Sequence, residues 1–321
     1  VAIDVGARVV LRREIRTAGE RKVMSPSGLL NLNKPQGATS RQVVNQVQRL
    51  VRPAKVGHAG TLDPLATGVL VVAVGSATRL IELVQQQVKR YRGTFLLGCT
   101  SDTEDVEGDV TQLDDPPRPT RAAVEFAAEQ FVGTIQQRPP IYSALKVDGR
   151  RSYKLARRGE AVELDPRPVE IHALSVVGYA YPHLTLEIRC GSGTYVRSLG
   201  RDLAESLGTA AVMESLVRTA VGRFHLDAAI DPRMMNAEML AAEMHPAVEA
   251  VADLPQLQVD AQQARRLRQG QSVDLADAGR GPLAKDAMSP VAALDSAGNL
   301  VALLEADPQR GWRPAKTFPE P

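Results

Sequence analysis

Six consecutive apolar residues, Val69 to Val74, stand between Gly68 and Gly75 and follow a loop that carries Gly57, Gly60 and Pro64. An apolar run of this length between turn-forming residues reads as a strand buried on both faces, so the chain must supply covering layers above and below it. A short strand begins at Val56, and His58 to Thr67 is the connecting loop. Asp63 lies at its centre. The nearest carboxylate before it is Glu20 and the nearest after it is Glu82, whereas Lys34, Arg41, Arg49, Arg52, Lys55 and Arg79 all lie between. One acid isolated among cations suits a phosphate-bearing substrate around it. Asp63-Pro64 also has a local reading, with Asp as N-cap and Pro at the first position of a helical turn. The dipeptide alone leaves both open. Glycine-flanked loops between core strands are where chemistry is usually mounted.

The segment G-H-A-G-T-L-D-P-L-A-T-G-V-L, Gly57 to Leu70, with L-L-N-L-N-K-P-Q-G-A-T-S at Leu29 to Ser40, resembles the TruB family of tRNA pseudouridine synthases. The resemblance runs from about Gly28 to the C-terminus. It implies that Asp63 is the catalytic aspartate, that Lys34 supports the catalytic loop beside the substrate, and that His58 enters the space vacated by a flipped base. It also implies a uracil-stacking Tyr91 in the K-R-Y motif, which is a candidate to assist proton loss. In G-S-G-T-Y-V-R it makes Arg197 the partner of the aspartate and sets Tyr195 beside the uracil. Leu216, in S-L-V-R-T-A-V-G-R-F, would line the base pocket, and Val217 is read as standing where the family carries Arg. Residues 133–159 would form an insertion that clamps RNA, with Arg150, Arg151 and Lys154 among its cations.

Read without that resemblance, several of these stretches have plainer explanations. Lys34-Pro35-Gln36-Gly37 is an ordinary turn, and Ser40 caps a helix with Val43, Val44, Val47, Leu50 and Val51 on one face, stopped by Pro53. Further helices are expected at Ala77 to Val84, Thr120 to Phe131 and Tyr195 to Leu207. Strands are expected at Lys89 to Leu97 and over the alternating Leu184, Leu186, Ile188 and Cys190. Tyr91 between Arg90 and Arg92 is either a base-stacking residue whose neighbours hold phosphate or a strand tyrosine with solvated neighbours. The acidic loop T-S-D-T-E-D-V-E-G-D-V reads as a solvated turn, because an EF-hand alignment puts Thr103 at the first position and Asp114 at the twelfth. Ile141 to Gly159 is a basic stretch interleaved with Tyr142 and Tyr153, either a solvated face or an RNA contact. Gly191-Ser192-Gly193 is a weak dinucleotide signal, since the third glycine falls on Val196.

The net charge of +2 is too mild to indicate nucleic acid by itself, so RNA binding rests on local patches. Cys99 and Cys190 are far apart and read as small buried residues, and five scattered histidines give no ligand spacing, so no metal or cofactor is expected. No apolar run approaches the length of a membrane span, and cytoplasm is the default. Residues 1–23 are read as a disordered, dispensable extension. Residues 24–250 are read as the catalytic domain. The expected fold is α+β, a mixed and largely antiparallel sheet flanked by helices, with a small PUA-like β-barrel over residues 251–321. That last segment carries eight Lys and Arg against nine Asp and Glu, so any RNA contact there is confined to a cluster such as Arg265, Arg266 and Arg268.

The implied reaction is cofactor-free isomerisation of uridine 55 in the T loop of tRNA after base flipping. It would be performed by a monomer with no obligate protein partner. The alternatives are a tRNA-binding chaperone, or the catalytic subunit of a guide-RNA particle.

Overall fold

The structure, a computed structural model, describes residues 26–143, 145–147, 149–156, 158, 164–273, 290–307 and 311–320. The expected extension at residues 1–23 lies outside them. The first part of the chain gives β1 (Gly28–Lys34), α1 (Ser40–Val51), β2 (Val56–His58), β3 (Thr67–Val74), α2 (Ile81–Gln86), β4 (Lys89–Leu97), β5 (Cys99–Thr100), β6 (Thr111–Gln112) and α3 (Arg121–Glu129). The middle gives β7 (Gly133–Gln137), β8 (Lys146–Val147), β9 (Arg150–Arg151), α4 (Ser152–Ala156), β10 (Arg167–Ala180), β11 (His183–Cys190), α5 (Val196–Ser206), β12 (Ala211–Val221) and β13 (Phe224–His225). The last part gives α6 (Ala237–Ala242), β14 (Gln256–Gln258), α7 (Ala261–Arg268), β15 (Val291–Leu294), β16 (Leu300–Asp307) and β17 (Gly311–Thr317).

The main sheet follows the order β1-β3-β12-β4-β11-β10-β7, with β2 added to β3 and β13 to β12. Every pairing in it is antiparallel except the short parallel contact of β12 with β3, where Val217 faces Thr67 and Arg218 faces Gly68. The expected α+β sheet is therefore present. β3 is buried along nearly its whole length, and its alternation shows why an uninterrupted apolar run was needed. Leu70, Val72 and Val74 face Val43, Val44 and Val47 of α1, whereas Val69, Val71 and Ala73 face Leu80, Phe224 and the C-terminal residues Leu294, Leu303 and Phe318. The C-terminal segment is thus one of the two layers that keep β3 dry.

Three local expectations change. Thr39, not Ser40, caps α1, in a capping box with Gln42. The Ser40 hydroxyl is buried instead and exchanges hydrogen bonds with Leu62, accepting from its N–H at 2.9 Å and donating to its carbonyl at 3.0 Å. Leu50, placed on the inward face, is 38% exposed, because α1 presents Val51 to the core there. In the C-terminal segment, β14 to β17 form a four-stranded sheet that is not a closed barrel among the described residues. α7 packs on it through Ala264 and Leu267.

On the other side of the main sheet, α3 and α5 cover β4, β11 and β10 around Phe95, Leu184, Leu186, Leu199 and Leu203. α5 comes close to the sheet because Gly200 faces the Phe95 ring. A Cβ at Gly200 would lie 2.0 Å from that ring, and Phe95 is fully buried and has nowhere to go. Overpacking of this kind costs about 1–3 kcal/mol, more than the ~1 kcal/mol that alanine gains over glycine in helix propensity. Gly200→Ala should therefore lower the urea midpoint. An unchanged or raised midpoint would mean that the ring yields.

Candidate active site

A cavity of about 650 Å³ opens between the Gly60–Pro64 loop, the floor formed by β4 and β12, and the Gly191–Arg197 turn that enters α5. Asp63, Tyr91, Tyr195, Arg197 and Leu216, all singled out in the sequence, line it together. Asp63 opens no helix. Its backbone carbonyl closes a turn by accepting from Ala66 N–H at 3.1 Å, and its carboxylate, 39% exposed, lies 3.1 Å from an Arg197 guanidinium nitrogen.

Arg197 is the second residue of α5, and its side chain is 7% exposed. Burying a guanidinium requires partners. Nη1 donates to the Thr103 carbonyl at 2.6 Å and lies 3.4 Å from Asp105, while Nη2 donates to the Tyr142 carbonyl at 3.1 Å as well as reaching Asp63. The guanidinium thus divides between two carboxylates and is not bidentate on one. The start of α5 is fixed by Gln137, fully buried, whose side-chain amide bonds both the N–H and the carbonyl of Tyr195 at 2.8 and 3.1 Å.

Asp105 belongs to the acidic loop, where the solvated-turn expectation holds only in part: Asp102, Glu107 and Asp109 are exposed, but Glu104 and Asp105 are not. Asp105 is 3% exposed, and Glu104 pairs with Arg201 and accepts from Ser198 at 2.6 Å. Burial pushes the Glu104 carboxyl up, opposed by Ser198, Arg201 and Arg197. The loop is held against β12, with Met213 N–H donating to Glu104 O and Val106 N–H to Met213 O. Local sequence cannot show this, because the arginines that recruit the acids come roughly ninety residues later on α5. Among the described residues, no group of three or more His, Cys, Asp or Glu is placed to hold a metal.

Tyr91 sits on the floor, and burial pushes its phenol pKa up, opposed by Arg218, which also hydrogen-bonds it. Strand alternation places exposed Arg90 and Arg92 on the opposite face, and Arg92 pairs with Glu187. They do not frame the same base as Tyr91. Arg218 escaped the sequence reading, which took Val217 as the missing arginine. It is 1% exposed, with Nε donating to Val69 O at 2.6 Å and Nη2 to Gly60 O at 3.1 Å. It ties the loop to β3. Alternation from Leu216, which faces the cavity, was the available signal. Gly68 permits this contact of β12 with β3: its φ is +99°, and a Cβ would fall 2.3 Å from Arg218 O.

Lys34 does not line the cavity. It is fully buried beneath the loop, and its ammonium donates to the carbonyls of Ala38, Pro35 and Pro64 at 2.6, 3.0 and 3.3 Å. It therefore supports the loop and offers no surface to a substrate. His58, on β2, is half-buried, and burial lowers its pKa, opposed by a hydrogen bond to the Gly60 backbone and reinforced by Arg218 and Arg41. The Tyr195 ring is covered by the Arg167 guanidinium, 5.1 Å from the ring centre. Arg150 is exposed on the β8–β9 hairpin, and the side chains of Arg151 and Lys154 lie outside those described. Of the C-terminal cluster, Arg265 and Arg266 are exposed, but Arg268 is held by Glu320 and Asp295 at 2.9 and 3.3 Å. Cys190 is buried as expected, whereas Cys99 is only partly so.

Residues 48–196 match the model of the TruB family pseudouridylate synthase N-terminal domain. A tRNA pseudouridine synthase B of Rhodopirellula baltica is 42% identical over 261 residues, covering 77% of this chain and 75% of that one. Another from Dehalococcoides mccartyi is 39% identical over 299 residues, covering 92% and 97%. Among solved structures, a Cbf5-Nop10-Gar1 complex contains a chain with 25% identity and a TM-score of 0.66, covering 87% of this chain and 78% of that one.

Burial of Lys34 lowers its pKa from 10.5 to about 8, opposed by Asp63. Between those values the unfolded chain binds more protons than the folded one, so this contribution makes stability rise with pH across the window. Lys34→Met lacks it. The stability difference, wild type minus variant, should therefore grow between pH 8 and pH 10 in urea unfolding, and a flat or shrinking difference would contradict the buried-ammonium account.

Proposed function

The chain belongs to the TruB family of pseudouridine synthases, which are isomerases, and on that premise we propose that it converts uridine 55 in the T loop of tRNA to pseudouridine with Asp63 as the catalytic carboxylate. The observation that carries this reading is the position of Asp63, exposed to the cavity on one side and paired with a buried arginine on the other. A target uridine inside a folded loop must leave its stack, at a cost of a few kcal/mol. Exposed cations such as Arg150, Arg265 and Arg266 offset that cost through phosphate contacts. His58, beside the loop, fills the vacated space.

Residues 24–250 then act as the catalytic domain, residues 133–159 as the clamp and residues 251–321 as an RNA-binding module. The protein acts on tRNA in the cytoplasm as a monomer, without a guide RNA or protein partner. Among the described residues no helix is long and apolar enough to cross a membrane.

The flipped uracil stacks on Tyr91 against Leu216. Asp63 acts on the ribose, either by attacking C1′ or by removing the C2′ proton. Once the glycosidic bond opens, the uracil turns, C5 bonds to C1′ and the C5 proton leaves. Burial keeps the Tyr91 phenol protonated near neutrality, so its part is to stack and to relay a proton through its hydroxyl.

Tritium release from tRNA carrying 5-tritiated uridine tests the assignment. Asp63→Asn should reduce release by about 10³-fold or more while tRNA binding is retained. Activity within a few-fold of wild type would remove Asp63 from the chemistry. Arg197→Lys should also lose most activity, because an ammonium cannot serve two carboxylates and two carbonyls from fixed directions. An Asp63→Asn protein that still refolds tRNA would favour a chaperone role.

A further inference from the structure

Lys89 lies on the cavity floor and has no part in the chemistry above. It stands two residues before Tyr91 on β4 and so shares its face, and it is 6% exposed. The neighbouring strands set Cys190 and Val221 opposite it. Its ammonium donates to the Gln85 carbonyl, and an ammonium carries three donors. A buried donor facing a cavity with capacity to spare calls for an acceptor in that cavity. Burial lowers its pKa to about 8, opposed by Cys190 and reinforced by Arg218, so it stays mostly charged at neutral pH.

The floor also has a direction. Arg218, which holds the Asp63 loop through the Gly60 carbonyl, stands opposite Tyr91 in the register, and Lys89 lies two residues farther along β4, opposite Val221 and Cys190. A uridine with C1′ at Asp63 and its ring over Tyr91 therefore points its far edge toward Lys89. The ring atom opposite the glycosidic nitrogen is C4, which bears O4. When the ring turns about its N3–C6 axis, C5 takes the place of N1 and C2 takes the place of C4. The far edge then presents O2 where O4 had been.

Building on the isomerase reading, we propose that Lys89 is a specificity residue whose ammonium donates to the uracil carbonyl opposite the glycosidic bond, O4 before the ring turns and O2 afterwards. A donor-only group with rotatable N–H bonds serves either carbonyl, and it finds no acceptor in the amino group of cytosine. One side chain thereby selects uracil and keeps its hold through the rotation.

The test is a cycle between protein and substrate. T-arm RNA hairpins carrying uridine or 4-thiouridine at the target are converted under single-turnover conditions and scored by nucleoside chromatography. Sulfur is a poor acceptor, so the wild type should lose about tenfold on the thio substrate, the scale of one charge-assisted hydrogen bond. Lys89→Met should be slower on uridine and differ by less than twofold between the two substrates. Lys89→Gln, which keeps a neutral donor at similar volume, should retain part of the sulfur penalty, and melting curves identify any variant that fails to fold. A full tenfold sulfur penalty in folded Lys89→Met, or no sulfur penalty in the wild type, overturns the proposal. A wild-type protein that leaves the uridine hairpin unconverted overturns the isomerase reading itself, and this inference with it.

Discussion

A buried guanidinium must be surrounded by acceptors, and the arrangement around Arg197 follows from that requirement. Its partners come from three separate segments: Asp63 in the loop before β3, Thr103 and Asp105 in the acidic loop, and Tyr142 at the start of the basic stretch. None of these segments is a regular element that could hold itself in place. The arginine gives each a fixed point, and the desolvation cost of one partner missing would fall on the others. Glu104 with Arg201 and Ser198 repeats the pattern one turn along α5, so the helix gathers the acidic loop at two successive points.

The loop bearing Asp63 is braced from below as well. Lys34 accepts no solvent contact and holds three carbonyls, including that of Pro64, the residue after the aspartate. Ser40 grips Leu62, the residue before it, and Arg218 holds Gly60. Side chains from β1, α1 and β12 therefore fix the backbone on either side of a carboxylate that is itself left partly open. The proposed role of Asp63 needs this combination of rigid backbone and an accessible oxygen.

The C-terminal segment has a structural role alongside any contact with RNA. Leu294, Leu303 and Phe318 cover the face of β3 that α1 does not, and Lys316 reaches Glu82 and the Arg79 carbonyl across the junction. The strand that follows the Asp63 loop is thus stabilised on both faces, by α1 and by the C-terminal segment.

Local patterning in the sequence settled the elements: the two-sided burial of β3, the alternation of β11, the limits of β4 and the helix entered from the Gly191–Thr194 turn. These depend on periodicity within a few residues, which the chain carries openly. The motif residues Asp63, Tyr91, Tyr195, Arg197 and Leu216 were legible through the resemblance to a family, each lying in a short distinctive stretch, whereas local patterning by itself left Asp63 and Tyr91 open between chemistry and plain structure. Tertiary structure alone decided which distant residues complete the site. Asp105 reads as part of a solvated turn until α5 brings Arg197 to it, Lys34 reads as a turn residue until the loop closes over it, and Lys89 gains meaning only as part of a shared floor. Pairing a buried charge is a long-range matter, because the energy that selects a partner is set by exclusion of water at the contact, and that exclusion exists only once the layers have assembled.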